Sequence, residues 1–253
     1  MGTRVARVLV LGKGVVVKPY RCTAVLAVLL SLLVVDQADA SQKATLTKTE
    51  IRQAEQWLAD LGFWTGPIDG VWDSSTRHAL VAFQKIQKAK ATGRLSRAEW
   101  NALSVAAPVR PRHTSGPHIE VDIARQVLFM VDAEGNVGNI LPISSGSGKR
   151  FYENGYPETR AVTPCARLEV YQKASGWKTS PLGQMHNPLY IVGGIAIHGS
   201  EDVPAYPASH GCIRIPMFAS HRLTKMVPKG TPVYVYGCKE EKAAPPQEIA
   251  ARP

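Results

Sequence analysis

The chain has 253 residues, of which 45% are hydrophobic, and a formal net charge of +10 at pH 7. A basic balance of this size suits a polyanionic surface such as a cell wall or lipid headgroups. It does not indicate nucleic-acid binding, because no basic run carries interleaved aromatic residues. No segment after residue 40 has the roughly 20 consecutive apolar residues that a membrane span needs.

The first forty residues predict a cleavable secretory signal. Basic residues up to Arg21 precede an apolar run from Ala24 to Val35, and Ala38 and Ala40 frame an A-x-A site. The alternative is an uncleaved membrane anchor, for which the run is short. Cleavage after Ala40 removes five basic and two acidic side chains, which lowers the charge from +10 to +7. The mature protein is therefore predicted to be secreted, to the periplasm or the cell wall.

Residues 46–104 predict a small module of three helices. Apolar residues recur at helical spacing from Ile51 to Leu61, and Gly62 ends that helix. Ser74 is predicted to cap a second helix, and the segment S-R-A-E that begins at Ser96 is a capping box for a third.

The pattern changes after a linker at residues 105–116, which is rich in proline and small residues. Residues 117–238 alternate with the period of two that is typical of strands, apart from a helix predicted at Pro216–Met226. Residues 239–253 lack the apolar content to pack and are predicted to form a disordered tail. The fold class is therefore predicted as α+β, with a helical module followed by a mostly β domain.

The stretch LGFWTGPIDGVWDSSTRHALVAFQK, Leu61 to Lys85, resembles peptidoglycan-binding modules of the three-helix type. The resemblance implies peptidoglycan as a partner. Trp64 and Trp72 could stack on sugar faces, but a tryptophan in so small a bundle more often belongs to the core.

Three cysteines, an odd number, remain after Cys22 leaves with the signal, so at least one thiol is unpaired or linked to another molecule. The simplest arrangement pairs Cys165 with Cys238 and leaves Cys212 free. The alternative is a disulfide between Cys212 and one of the other two.

Cys212 lies in a sequence context that suits nucleophilic catalysis. His198 is predicted at a strand end, and His210 precedes the cysteine by two residues, so either imidazole could accept the thiol proton. Gly211 permits a tight turn, and the amides of Gly211 and Cys212 could form an oxyanion hole. These residues predict a cysteine acyltransferase or hydrolase.

The stretch IHGSEDVPAYPASHGCIR, Ile197 to Arg214, resembles the signature of the L,D-transpeptidase catalytic domain, also called YkuD. The resemblance implies that Cys212 is the nucleophile and His198 its general base, which a backbone carbonyl could orient. It implies supporting roles for the rest: His210 in orienting the loop or tuning the thiolate, Ser209 in a hydrogen bond within the turn, and Gly211 with Cys212 as oxyanion donors.

Three more residues are candidates for substrate binding, each with a structural alternative. Arg214 could hold a substrate carboxylate or stabilise the turn. Tyr190 could line a groove or belong to the core, and His186 could contact substrate or support the site from behind.

The implied reaction consists of two acyl transfers and needs neither a metal nor an organic cofactor. Cys212 attacks a tetrapeptide stem of peptidoglycan and releases the terminal D-alanine, and an amine of a neighbouring stem resolves the thioester. A hydrolytic amidase or carboxypeptidase of the same fold is the first alternative. A zinc hydrolase that uses His186, His198 and His210, and a wall-binding protein without catalysis, are the others.

Overall fold

The computed structural model describes residues 46–114, 116–152 and 158–238. The predicted signal at 1–40 and the predicted tail at 239–253 lie outside the described residues. Within the described part, no helix has the length and apolar character to cross a bilayer.

Three helices form the N-terminal part of the described chain: α1 Lys48–Asp60, α2 Ser74–Ile86 and α3 Arg97–Ser104. The capping box of Ser96 and Glu99 starts α3, as its sequence predicts. The prediction that Ser74 caps α2 is wrong, because the cap is Asp73, whose carboxylate accepts the backbone N–H of Thr76 at 2.8 Å. Asp and Ser are comparable cap formers, so their order in the sequence left the position open.

The described residues after this helical part are mostly β, which confirms the predicted fold class. One helix, α4 Met217–Met226, follows Pro216 as expected from the sequence. The strands are, in chain order, β1 His118–Asp122, β2 Val127–Val131, β3 Val137–Pro142, β4 Arg150–Phe151, β5 Thr159–Arg160, β6 Arg167–Glu169, β7 Gln172–Lys173, β8 Trp177–Ser180, β9 Gly183–Val192, β10 Ile195–Ser200, β11 Ile213–Pro216 and β12 Pro232–Tyr236.

The described strands form two five-stranded sheets and a two-stranded ribbon of β4 and β5. The first sheet has the order β3-β2-β1-β12-β6, in which β1 and β12 are parallel. The second has the order β11-β10-β9-β7, with β8 paired to β9, and its strands β10 and β11 are parallel.

The larger of two apolar clusters among the described residues, the main core, lies between the two sheets and α4. Alternate residues of β1, β9, β11 and β12 point into it, as the period of two requires. Its fully buried members include Ile119, Val121, Leu128, Leu141, Ile143, Leu189, Ile197, Ile213, Ile215 and Val233. Ala219 and Leu223 of α4 complete it. The faces of β10 and β11 that point away from this core are consequently available for a site.

The helical module packs directly on the first sheet, a contact that the sequence does not predict. A second apolar cluster joins helix residues such as Leu58 and Leu80 to Phe129 and Ile140 of the sheet. Backbone hydrogen bonds cross the boundary, since the Trp64 N–H donates to Ile140 O at 3.1 Å. Trp64 is only 5% exposed and belongs to the main core, so it is a core side chain.

Lys85 of α2 fastens the module to the sheet. Its ammonium group is buried and donates to the carbonyl oxygens of Gln126 at 3.1 Å and Ile143 at 2.9 Å. Burial lowers the pKa of Lys85 to about 7.

The segment between module and sheet is irregular but hydrogen-bonded to β1. The buried carboxylate of Glu120 accepts the backbone N–H groups of Arg112 at 3.0 Å and His113 at 2.6 Å. It also accepts the Tyr236 hydroxyl at 2.9 Å. The His113 ring stacks on Tyr234 with the centroids 3.9 Å apart. The segment therefore has a fixed path over the outer face of the first sheet.

Candidate active site

The parallel pairing of β10 and β11 brings His198 and Cys212 to the same face of the second sheet. His198 is level with Arg214 in the register, and Cys212 lies two residues before Arg214. Because side chains alternate along a strand, Cys212 and Arg214 share a face, opposite to the buried Ile213. His198, Cys212 and Arg214 line one pocket.

This pocket has a volume of about 570 Å³. The hairpin of β8 and β9 forms one wall, and the loop that precedes β11 forms another. The lining residues are Ser180, Pro181, Leu182, Gly183, Gln184, Met185, Gly194, Ile195, His198, Ser200, Ser209, His210, Gly211, Cys212 and Arg214. Cys212 is a free, half-buried thiol, and its Sγ lies 3.8 Å from the Gly194 carbonyl oxygen.

The loop that carries Cys212 is held by the segment that follows β3. The backbone N–H groups of Ala208 and Ser209 both donate to Ser145 O, at 3.0 and 2.9 Å. The Ser147 N–H donates to Ser209 O at 2.9 Å. The Ser145 N–H in turn donates to Gln126 Oε1 at 2.9 Å. The position of the thiol is thus fixed by backbone contacts rather than by its own side chain.

The turn before Cys212 depends on Ser209, Gly211 and Thr163. The Ser209 hydroxyl donates to Cys212 O at 2.6 Å and accepts the Gly211 N–H at 3.0 Å. Thr163 donates to Gly211 O at 2.6 Å. Gly211 has φ +142°, and a Cβ atom there would lie 3.1 Å from the Val162 carbonyl oxygen, so only glycine fits.

The hydrogen bonds of this turn involve one of the two amides that the sequence predicts as oxyanion donors. The Gly211 N–H is already engaged by Ser209, so it does not point freely at a substrate. Among the described residues, the Cys212 N–H has no such partner. Of the two amides predicted as oxyanion donors, that of Gly211 is therefore engaged within the turn.

His198 is buried, 4% exposed, and its tautomer follows from its neighbour. Its Nδ1 lies 2.9 Å from the Gly199 carbonyl oxygen. A carbonyl only accepts, so Nδ1 carries the proton and Nε2 keeps a lone pair. Burial, the largest cause, and the charge of Arg214 together lower the pKa of His198 to about 4, although the hydrogen bond to Gly199 raises it. The imidazole is consequently neutral and basic at Nε2 near neutral pH.

Burial raises the pKa of Cys212. A hydrogen bond from the Ala196 backbone and the charge of Arg214 act in the opposite direction but do not offset the burial. Cys212 and His198 are therefore both neutral, as a thiol and an imidazole, and not a preformed ion pair.

The other predicted site residues have different positions. His210 lines the pocket but is exposed, with its ring edge against Phe151 at a centroid distance of 4.9 Å. Arg214 pairs with the exposed Asp202 at 3.3 Å. Tyr190 lies outside the pocket lining, although it is level with Ala196 on the face that carries His198.

His186 is on the opposite face of the second sheet. It is level with Gly199, and its Nδ1 lies 2.7 Å from the Ser220 hydroxyl of α4. It therefore does not reach the pocket, nor does it converge with His198 and His210. Among the described residues, no group of three or more His, Cys, Asp or Glu could hold a metal ion.

Cys165 and Cys238 form a disulfide that links β12 to the segment before β6. Cys238 contacts the carbonyl oxygen of Thr163 through its sulfur at 3.6 Å. The bridge therefore lies behind the turn that holds Gly211.

Sequence reasoning missed two residues that shape the site. Thr163 and Ser145 hold the cysteine loop through hydrogen bonds. Met185 lines the pocket, with its Sδ 4.0 Å from Cys212 Sγ. The available signals were the segments VTPCARL and ISSGSG, whose polar residues stand beside predicted strands.

Two family models match the chain. Residues 47–103 match a putative peptidoglycan binding domain, and residues 116–235 match the L,D-transpeptidase catalytic domain, YkuD. No curated protein matches the chain.

Solved structures of L,D-transpeptidases are similar to the chain. The one from Xylanimonas cellulosilytica DSM 15894 is 36% identical, with a TM-score of 0.70, over 74% of this chain and 93% of that chain. The one from Stackebrandtia nassauensis is 20% identical, with a TM-score of 0.44, over 74% and 90%. The catalytic domain from E. faecium is 26% identical, with a TM-score of 0.37, over 49% and 99%. The 36% identity to the first of these structures, over 74% of this chain, shows that the chain belongs to the L,D-transpeptidase family.

Proposed function

We propose that the protein is a peptidoglycan L,D-transpeptidase in which Cys212 forms an acyl-enzyme with a tetrapeptide stem. The observation that carries this proposal is the pairing in one pocket of a free thiol and a buried imidazole with an unprotonated Nε2. A neutral thiol needs a base to become a nucleophile, and His198 is a base on the same face of the sheet.

The first transfer begins when His198 Nε2 takes the Cys212 proton as the sulfur attacks the carbonyl carbon before the terminal D-alanine. The Cys212 N–H donates to the oxygen that gains negative charge. The tetrahedral intermediate collapses, the C–N bond breaks, and the leaving amine receives the proton from His198. Free D-alanine departs and a thioester remains on Cys212.

The second transfer reverses these roles. The amine of a neighbouring stem gives a proton to His198 and attacks the thioester carbon. The C–S bond breaks, an amide forms between the two stems, and His198 returns the proton to the sulfur. Water in place of the amine would release a shortened stem instead.

Arg214 and His210 line the same pocket as His198 and Cys212. The Arg214 side chain is 23% exposed and its ion-pair partner, Asp202, is itself exposed, so a substrate carboxylate can compete for it. His210 is exposed on the loop that carries Cys212, where it can contact the stem. Both residues are therefore proposed to position substrate. The Cys212 N–H is proposed as the oxyanion donor.

The proposed substrate also fits the rest of the chain. The helical module matches a putative peptidoglycan binding domain, and the proposed secretory signal would deliver the protein to the periplasm or the cell wall. We propose domain boundaries at 46–104 and 117–238, joined by the segment at 105–116.

The test is to incubate residues 41–253 with tetrapeptide stems and to measure D-alanine release and stem dimers. We expect both products, and we expect neither from the Cys212→Ala variant. Products formed with and without an acceptor stem separate cross-linking from hydrolysis. Activity that a chelator abolishes and that survives Cys212→Ala would contradict the proposal.

A further inference from the structure

A second cavity lies away from the Cys212 pocket, where α2, the segment before β1 and the first sheet meet. Its volume is about 880 Å³. Its basic and acidic lining comes from all three parts: Lys85 and Lys88 at and after the end of α2, Arg110 and Arg112 in the segment, and Asp122 and Arg125 at and after the end of β1. We call this cavity the basic cleft.

The positive charge of the basic cleft is largely uncompensated. Asp122 is engaged by Arg125 at 3.6 Å and cannot neutralise the others. In the part of the chain that the structure describes, Lys88, Arg110 and Arg112 make no ion pair. Lys88 and Arg110 are also exposed, so their charges are available to a ligand.

Arg112 is held in place before any ligand binds. Its backbone N–H is fixed by the buried Glu120, and its guanidinium lies 4.8 Å from the centre of the Tyr236 ring. A side chain that is already ordered loses less entropy on binding. The segment thereby presents a preorganised fork suited to a carboxylate.

The cleft is connected to the Cys212 pocket by one loop. Tyr206 lines the basic cleft and is 66% exposed, whereas Ser209 to Cys212 of the same loop line the pocket. The Tyr206 carbonyl oxygen accepts the Ser144 hydroxyl at 2.8 Å, which fixes the loop between the two. A polymer that occupies the pocket can therefore extend along this loop to the cleft.

We propose that the basic cleft binds the free carboxylates of a peptidoglycan stem on the strand whose neighbouring stem occupies the Cys212 pocket. Stem peptides carry several carboxylates, which match an excess of cations, and the exposed ring of Tyr206 offers an apolar surface to a sugar face. The proposal rests on the proposed function for its ligand class. It assigns to the boundary between the two domains a role in holding the strand during transfer.

The experiment measures binding with the Cys212→Ala form of residues 41–253, so that no turnover occurs. The probe is a soluble glycan fragment of several disaccharide units that bear tetrapeptide stems, and the readout is the Kd by calorimetry. The variant Lys88→Glu/Arg110→Glu reverses two exposed charges of the cleft. We expect its Kd to rise about tenfold or more at low salt, because charge-assisted contacts become repulsive.

The matched control is Lys225→Glu/Lys229→Glu, which changes the net charge equally at exposed positions near the end of α4. We expect its Kd to stay near that of the parent. A second measurement does not depend on variants: amidation of the stem carboxylates should weaken binding by a similar factor and abolish the difference between the cleft variant and the parent.

Equal binding by the cleft variant and the parent would overturn the proposal, as would an equal loss in the control, or tight binding of the amidated fragment. Failure of the proposed function has a different signature: the wild type would release no D-alanine in a Cys212-dependent way, whatever the Kd values of the cleft variants.

Discussion

Thr163 Oγ1 donates a 2.6 Å hydrogen bond to the carbonyl oxygen of Gly211, the residue that immediately precedes the thiol. The same hydroxyl accepts the Gly146 N–H at 2.9 Å. The buried Thr163 side chain thus links the backbone at Gly146 to the peptide group that joins Gly211 to Cys212. The amide of that peptide is the proposed oxyanion donor, so its orientation matters for the rate.

Thr163→Val should therefore lower kcat. It preserves the shape but removes both hydrogen bonds, and a small displacement of a reacting group can cost about 100-fold. We expect a loss of about 10- to 100-fold in kcat with little change in KM. Thr163→Ser keeps the hydroxyl and should retain most of the activity. An unchanged kcat in the valine variant would show that Thr163 does not position the turn.

Arg214→Gln should change the pH dependence of catalysis. With His198 at a pKa of about 4, kcat/KM should fall only below that pH as the base becomes protonated. The charge of Arg214 lowers this pKa, so its removal should move the acid limb upward. Burial is the larger cause, so the limb should stay below 6.5, the ordinary value. Arg214→Lys keeps the charge and should leave the limb in place, whereas an unmoved limb in the glutamine variant would contradict the electrostatic account.

Gly199→Ala should destabilise the protein and impair the base. A Cβ atom at Gly199 would lie 2.6 Å from the Ser220 hydroxyl oxygen and 2.7 Å from the Ser220 Cβ, so β10 and α4 would have to separate. We expect a loss of about 1–3 kcal/mol in the free energy of unfolding, measured with urea. The carbonyl that orients His198 would move as well, so kcat should also fall. The double variant with Ser220→Gly makes room and should recover part of the stability; no recovery would mean that the clash is not the cause.

Lys85→Met should flatten the dependence of stability on pH. The folded-state pKa of Lys85 is about 7 and the ordinary value is 10.5, so between these values the unfolded chain binds more protons. Stability should therefore rise with pH over this window in the wild type, and less so in the variant. At pH 9 the variant also lacks two hydrogen bonds to carbonyl oxygens, at a cost of about 1–3 kcal/mol. The check is urea unfolding at pH 6 and at pH 9, and equal pH slopes in the two proteins would contradict the buried position of the ammonium group.

Features encoded by a short stretch of sequence could be predicted. The strand that carries His198, the glycine turn before Cys212 and the helix after Pro216 depend on alternation, glycine and proline over a few residues. The predicted fold class is confirmed for the same reason, since the spacing of apolar residues within each segment indicates a helix or a strand. The residues chosen for the pocket, Cys212 and His198, do lie together on one face.

Features that depend on distant partners could not be predicted. Lys85 looks like an ordinary surface residue of a helix until its carbonyl partners, 41 and 58 residues away, are known. The His186 side chain faces α4 and not the pocket because the pairing of β9 with β10 contains a bulge. A bulge shifts which face a side chain occupies, and nothing near His186 in the sequence marks it.

The central claim is that Cys212 carries the acyl group of the stem. The most direct test is intact-protein mass spectrometry of residues 41–253 mixed with a tetrapeptide stem and quenched in acid, followed by peptide mapping. We expect a mass increase equal to the stem minus D-alanine, located on Cys212, absent from Cys212→Ala and strongly reduced in His198→Gln. D-Alanine release that continues in Cys212→Ala, or an adduct on any other residue, would contradict the account.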